Sequence, residues 1–197
     1  AHIDHSGLLP YIYKLGFRGD IISTPATRDL CAIMLQDTAF IQAQDIRWYN
    51  KKMDRLHKPK VQPLYDNNHV ERCMQHFVTV GYGRRYRLFD GVYLTFTNSG
   101  HMLGSAVCSF EIEEEGEVKR IAYTGDIGRA KSHILCSPQP FPQCDYLICE
   151  STYGDRLHDD ALVSEEELLG VVDSTCVYKK GKLLIPSFSV GRTQEIV

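Results

Sequence analysis

From Tyr86 to Tyr123 the apolar residues move onto alternate positions, and short glycine-bearing turns interrupt them. A period of two puts every second side chain on the same face of a strand, so this stretch is committed to a sheet with a buried face. The pattern predicts strands at Tyr93–Thr97, Ala106–Glu113 and Val118–Tyr123, and a further one at Tyr146–Cys149 that ends in Glu150. Glu113, Glu114, Glu115, Gly116 and Glu117 read as an exposed hairpin turn, with little reason to invoke calcium. Arg84, Arg85 and Arg87 form a small basic cluster that reads as a solvent-facing strand.

Upstream the pattern is helical. Leu8 to Leu15 reads as a short helix or turn and Asp20 to Ser23 as a strand. Thr24 and Pro25 then open a helix whose buried face is expected at Leu30, Ile33 and Met34. Residues 38–58 continue mostly helical, with Arg47, Lys51, Lys52, Arg55 and Lys58 around Trp48 and Tyr49. A solvated helix face and an RNA-facing patch both account for that grouping, since aromatic and basic groups together stack bases and meet phosphates. Val70 to Phe77 is another helix, capped by Asn67 or Asn68 and ended by Gly81 and Gly83. Beyond the sheet, residues 154–164 read as a junction, Glu165 to about Cys176 as a helix and Lys182 to Ser189 as a strand. Val190 and Gly191 then lead into a further helix. These elements describe a mixed α/β core followed by the start of a second α/β unit.

With 197 residues, 43% hydrophobic and 24% charged, the chain supports one compact domain and part of another, and collagen-like or wholly disordered states are excluded. A net charge of −3 means that the whole-chain field does not draw a polyanion, so any nucleic-acid contact must be local. The seven cysteines are odd in number and show no CxxC spacing, which points to reduced, mostly buried thiols. There is no membrane-length apolar run and no secretion signal, so a cytoplasmic setting is expected. The opening Ala1 suggests an internal fragment or a processed chain.

Three residues near the start carry the strongest chemical signal. His2, Asp4 and His5 are potential metal ligands immediately before Ser6 and Gly7, although Asp4 could equally cap the next helix. His101 lies in the turn after the Tyr93 to Thr97 strand, and Asp126 lies in TGDIG after the Val118 to Tyr123 strand. Two strand ends can therefore deliver an imidazole and a carboxylate into one cleft, where glycines permit close turns. Such ligands suit zinc or another divalent transition metal, and a carboxylate can bridge two ions. A hydrolytic site, a structural metal site and ordinary capping all remain open on this evidence.

Taken together, these motifs resemble the metallo-beta-lactamase fold, and in particular the beta-CASP nuclease family. AHIDHSG looks like the HxHxDH motif without its first histidine, and CESTYGDRLH, containing Glu150, Arg156 and His158, resembles the first additional motif of that family. IPSFSVGRTQE, residues 185–195, resembles the opening of the inserted beta-CASP domain. The resemblance implies two zinc ions, with His2 and His101 at the first, Asp4 and His5 at the second, and Asp126 between them. It implies catalytic importance for Asp4, Asp126 and Glu150, the last by supporting a metal-binding histidine. Arg156 fixes Glu150 or the junction, or contacts RNA; His158 orients the acidic cluster or the substrate, or makes a structural hydrogen bond. Ser187, Ser189 and Arg192 suit phosphate recognition at a strand-to-helix turn, or stabilise that turn by the same hydrogen bonds. Ser105 reads as a turn residue.

The implied architecture is a partial αββα sandwich of the metallo-beta-lactamase type over residues 1–160, then the junction and beginning of a beta-CASP domain over 161–197. The implied function is zinc-dependent hydrolysis of RNA phosphodiester bonds in RNA processing or decay. The implied substrate is single-stranded RNA, and a homodimer or an RNA-processing complex is the expected assembly. Endonucleases, exonucleases and DNA-acting members share these motifs. The alternatives are a noncatalytic RNA-binding or processing-complex scaffold and a metallo-hydrolase for another substrate.

Overall fold

A computed structural model of the chain describes residues 1–129, 134–155 and 165–196. It divides into two compact units, Ala1–Cys149 and Glu150–Val197.

The first unit begins with two short helices, α1 (Ile3–Ser6) and α2 (Leu9–Lys14), followed by strand β1 (Ile21–Ser23). Helix α3 (Pro25–Arg55) starts where Thr24 accepts a hydrogen bond from Thr27 N at 3.3 Å and Pro25 takes the first turn, in which its missing N–H costs nothing. The expected helix at Thr24 and the helical stretch at 38–58 are thus one element of 31 residues. Its buried stripe is Cys31, Leu35 and Ala39 rather than Leu30, Ile33 and Met34, and Ile33 is 70% exposed. An i, i+4, i+8 stripe of smaller residues lets α3 sit close to Tyr65 and Val70, forming a core to which Tyr11, Met74 and Phe77 add. Each fully buried large side chain here contributes about 1.5–3 kcal/mol.

Helix α4 (Asn67–Met74) is capped by Asp66, whose Oδ1 accepts from His69 N at 3.0 Å while the His69 ring reaches back to the cap. The cap is therefore neither Asn67 nor Asn68, because only Asp66 has the extended backbone that aims its side chain at the free N–H groups. The helix stops at Met74, and Phe77 opens β2 (Phe77–Thr79), which pairs in parallel with β1 through Ile21 and Phe77.

A five-stranded sheet follows, in the order β3 (Tyr86–Phe89), β4 (Val92–Asn98), β5 (Ala106–Glu114), β6 (Glu117–Tyr123), β7 (Tyr146–Ile148). The first four strands run antiparallel and β7 joins β6 in parallel. All four strands expected from Tyr93 onward are present, and the acidic segment forms the β5–β6 hairpin turn. Glu115 and Gly116 both take positive φ, 52° and 84°, which matches the twist of a two-residue hairpin. Leu94 and Phe96 pack with Val80 as the core of this face, with Ile22, Ala106, Cys108 and Phe110 around them. The arginine cluster is not merely solvated: Arg85 donates to Glu111 and Glu113 at 2.9 and 3.0 Å and lies over the Tyr93 ring.

In the second unit α5 (Glu165–Val172) runs into a π-helical turn, Asp173–Tyr178, and α6 (Arg192–Ile196) closes the described residues. The strand expected at Lys182 to Ser189 does not form: among the described residues no strand pairs with it, and Leu184 and Phe188 are exposed. The thiols are all free, but only Cys31 and Cys73 are buried; Cys136, Cys149 and Cys176 are exposed. Among the described residues, no helix is long and apolar enough to cross a membrane.

Candidate metal centre

The β4–β5 register sets Asn98 opposite Ala106, and the β5–β6 register sets Cys108 opposite Tyr123. Both the loop after β4 and the loop after β6 therefore leave the same end of the sheet. The first carries His101. Ser105 Oγ accepts from His101 N and Met102 N, each at 3.1 Å, which closes the turn as its sequence role suggested. The carbonyl oxygen of Gly104, a residue at φ 85°, accepts from Thr24 Oγ1 at 2.7 Å and from Thr27 Oγ1 at 2.9 Å, tying the loop to the start of α3. A Cβ on Gly104 would stand 2.5 Å from Thr27 N, so only glycine fits there.

The second loop carries Asp126 behind Gly125, whose φ is 55°. Ser99 Oγ donates to the Asp126 carbonyl at 2.9 Å, and Gly128 N donates to the Ser99 carbonyl at 2.8 Å. The two loops thus cross back to back, and a Cβ on Gly128 would overlap the Gly100 carbonyl and lie 2.6 Å from His101 N. Helix α1 brings the third component. Its single turn puts His2 and His5 on one side, with the His2 carbonyl held by Ser6 Oγ at 2.9 Å and Ser6 N at 3.0 Å.

Three imidazoles converge on one carboxylate oxygen. Asp126 Oδ2 lies 3.6 Å from His2 Nδ1, 3.4 Å from His5 Nε2 and 3.5 Å from His101 Nε2, and Asp4 Oδ2 is 3.5 Å from His5 Nε2. These spacings exceed the ~2.7–3.2 Å of a good hydrogen bond. They lie close to the ~3.3 Å edge of a tetrahedron whose zinc–nitrogen and zinc–oxygen bonds are ~2.0–2.1 Å. The His2 and His101 rings stand edge to face at 5.0 Å and 86°, which presents a nitrogen of each toward a shared point rather than stacking them. Burial pushes the His2 imidazole below its ordinary pKa and the nearby His101 reinforces this, against the pull of Asp126. A neutral imidazole is the form that ligates a cation. His2, His101 and Asp126 offer ligand atoms all within 4.8 Å of one another, a group that could hold a metal ion. The cluster opens on a cavity of ≈ 210 Å³ lined also by Ile22, Phe96 and Cys108.

Of the five residues expected from the sequence to be ligands, His2, His101 and Asp126 form the group that could hold a metal ion; His5 meets it through Asp126 Oδ2, and the exposed Asp4 meets His5. Glu150, Ser187, Ser189 and Arg192 belong to the second unit. There Glu150 accepts from Thr152 Oγ1 at 2.9 Å. Ser187 Oγ is 3.0 Å from Thr193 Oγ1, and the Ser189 carbonyl accepts from Gln194 Nε2 at 3.0 Å. Arg192 opens α6. Arg156 and His158 lie outside the described residues. Sequence reasoning missed Thr27, Ser99 and Gly128 as positioning residues. Their signal was there for Gly128, inside the quoted TGDIG turn, but nothing local says which backbone it must approach.

Fold and cluster define a mixed α/β protein consistent with a partial metallo-beta-lactamase-like fold, with a histidine and aspartate group suited to a metal. No family model matches the chain. Over all of its length it is 36% identical to transcription termination factor FttA of Thermococcus kodakarensis and 34% identical to that of Methanothermobacter thermautotrophicus. It is likewise 34% identical to a ribonuclease of Thermus thermophilus. The chain spans 28%, 29% and 40% of these three proteins, well under half of each.

Proposed function

We propose that this chain is the metal-binding part of a zinc-dependent RNA phosphodiester hydrolase of the beta-CASP type. The observation that carries the reading is the convergence of three imidazole nitrogens on Asp126 Oδ2 at 3.4–3.6 Å, from a helix and two loops far apart in sequence. Similarity along the whole chain to a protein named as a ribonuclease supports the chemistry, and similarity to termination factors supports RNA as the partner.

In this reading His2 and His101 serve one cation, Asp4 and His5 a second, and the Asp126 carboxylate is shared. Zinc bound there supplies Lewis acidity toward a phosphoryl oxygen and lowers the pKa of water. The chain's own part would be to hold imidazole nitrogens in place and to bring carboxylate charge to cations that would otherwise repel each other. Glu150 is assigned a catalytic supporting role, and Ser187, Ser189, Arg192 and His158 are assigned to substrate phosphates. Residues 161–197 are the start of the beta-CASP domain, and the substrate is single-stranded RNA, met by a homodimer or within a processing complex.

The test uses the full-length protein, comparing bound zinc by elemental analysis with cleavage of end-labelled RNA. About two zincs per chain are expected, with activity lost on chelation. Asp126→Asn, which keeps the shape and removes the charge, is expected to lower both zinc content and turnover by at least ~100-fold in rate. Full zinc occupancy with undiminished cleavage in that variant would refute the assignment, and RNA binding with neither zinc nor cleavage in the parent would favour a scaffold. Cutting of circular RNA identifies an endonuclease.

A further inference from the structure

Beyond Ala39 only Met53 of α3 is buried, so the second half of this helix is anchored by one side and free on the other. At about 100° per residue, Arg47, Lys51 and Arg55 fall in one row and Trp48 and Lys52 in the next, on the arc opposite Met53. Trp48 is 69% exposed and is the single tryptophan of the chain. A ring that large is ordinarily put to use in a core or an interface, and here the core does not take it.

The charge around it is mostly basic, with exposed Asp45, three positions before Trp48, as the acid on the same arc. Residues 47–60 carry six basic side chains and one acid, Asp54, which pairs with Lys60 at 3.1 Å. Among the described residues Arg47, Lys51, Lys52, Arg55 and Lys58 make no ion pair. The whole chain is at −3, so this face reverses the overall sign. The returning segment is strapped to the helix by two hydrogen bonds, Asn50 Nδ2 to the Val61 carbonyl and Val61 N to Asn50 Oδ1, both 2.9 Å. The stripe is therefore presented on a rigid support.

We propose that this stripe of α3 binds single-stranded RNA, with a base stacked on the Trp48 indole and flanking phosphates met by Arg47, Lys51, Lys52 and Arg55. Sequence-tolerant binding of single strands combines these two groups. A protein partner is the poorer match, because lysines are depleted at protein interfaces and burying several unpaired ones is costly. The inference rests on the nuclease reading for its ligand and extends it to a holding surface outside the metal cleft. Thr24, which lines that cleft, lies 24 positions before Trp48. At 1.5 Å per residue the separation along the helix is about 36 Å, which a stacked single strand covers in about 10 nucleotides.

The test measures fluorescence anisotropy of labelled, unstructured RNAs of ~25 and ~6 nucleotides with the full-length protein. Trp48→Ala is expected to weaken binding of the longer RNA at least ~5-fold, and Trp48→Phe to restore most of it. The triple substitution Lys51→Gln, Lys52→Gln, Arg55→Gln is expected to flatten the dependence of log affinity on log salt by ~2. Hydrolysis of the shorter RNA is expected to stay at the parent rate. Longer-RNA affinity and salt slope unchanged in correctly folded variants would overturn the proposal, as would loss of a protein partner with RNA binding intact. If the parent does not cleave RNA but its binding depends on Trp48 as described, the nuclease reading fails and this surface stands.

Discussion

Gly128→Ala puts the positioning of the metal ligands to the test without touching a ligand. The backbone at Gly128 does not need positive φ, so alanine is conformationally acceptable, and the whole effect comes from where the new methyl lands. It overlaps the Gly100 carbonyl and falls 2.6 Å from His101 N. Relief requires the Asp126 and His101 loops to separate by about 1.5 Å or more, since ordinary carbon contacts need ~3.5–4 Å and the overlap with the Gly100 carbonyl is the deepest. Metal sites tolerate about ±0.2 Å in ligand distance, and a shift of about 1 Å in a catalytic group costs about 100-fold in rate. The expected outcome is a fall of at least ~10-fold in zinc affinity, with overpacking lowering stability by about 1–3 kcal/mol. Zinc affinity is read by competition with a chromophoric chelator and stability by urea denaturation, both on the full-length protein. Gly81→Ala is the control, because a Cβ there meets nothing within 4 Å. Parent-like zinc affinity and stability in Gly128→Ala would refute the idea that the crossing of these two loops sets the site.

Two further outcomes are expected. Asp66→Ala removes the cap of α4 and is expected to cost about 1 kcal/mol in denaturant unfolding at neutral pH. The Asp66 carboxyl is held below its ordinary pKa chiefly by the hydrogen bond from His69 N. Its contribution is therefore present above the ordinary carboxylate value and is lost as pH falls through the depressed one, so the gap between parent and variant should close in acid. In thiol labelling at mildly alkaline pH, exposed Cys136, Cys149 and Cys176 should react first. Buried Cys73 should react only on unfolding, whereas Cys108, which lines the cavity, should react slowly in the folded state, since burial pushes both thiols up to about 11.

What could be read in the one-dimensional chain was whatever is encoded within a few residues. Alternation located β4, β5 and β6 within a residue or two, the Glu115–Gly116 pair marked the β5–β6 hairpin, and the residue types at His2, Asp4, His5, His101 and Asp126 pointed to a candidate metal site alongside ordinary capping. Three features resisted. β1 was legible at Asp20 to Ser23, but its partner β2 was not: Phe77 reads in the sequence as the end of a helix, and a strand of three residues is too short to show a period. The buried stripe of α3 was misjudged because Ile33 is more apolar than Cys31 or Ala39, while the helix was turned by the small residues that let Tyr65 and Val70 approach. The segment 182–189 has strand-like residues but no pairing strand among those described.

The sequence by itself thus determined most of the elements, the β5–β6 turn and the types of the candidate ligand residues, because each depends on local sterics and side-chain type. Tertiary structure decided which face of α3 is buried and that three imidazoles meet at a single oxygen of Asp126. It also decided that Gly128 and Gly100 must touch and that Trp48 remains outside the core. Those outcomes depend on contacts between residues tens of positions apart, whose energies exist only once the sheet register and the helix packing have brought them together.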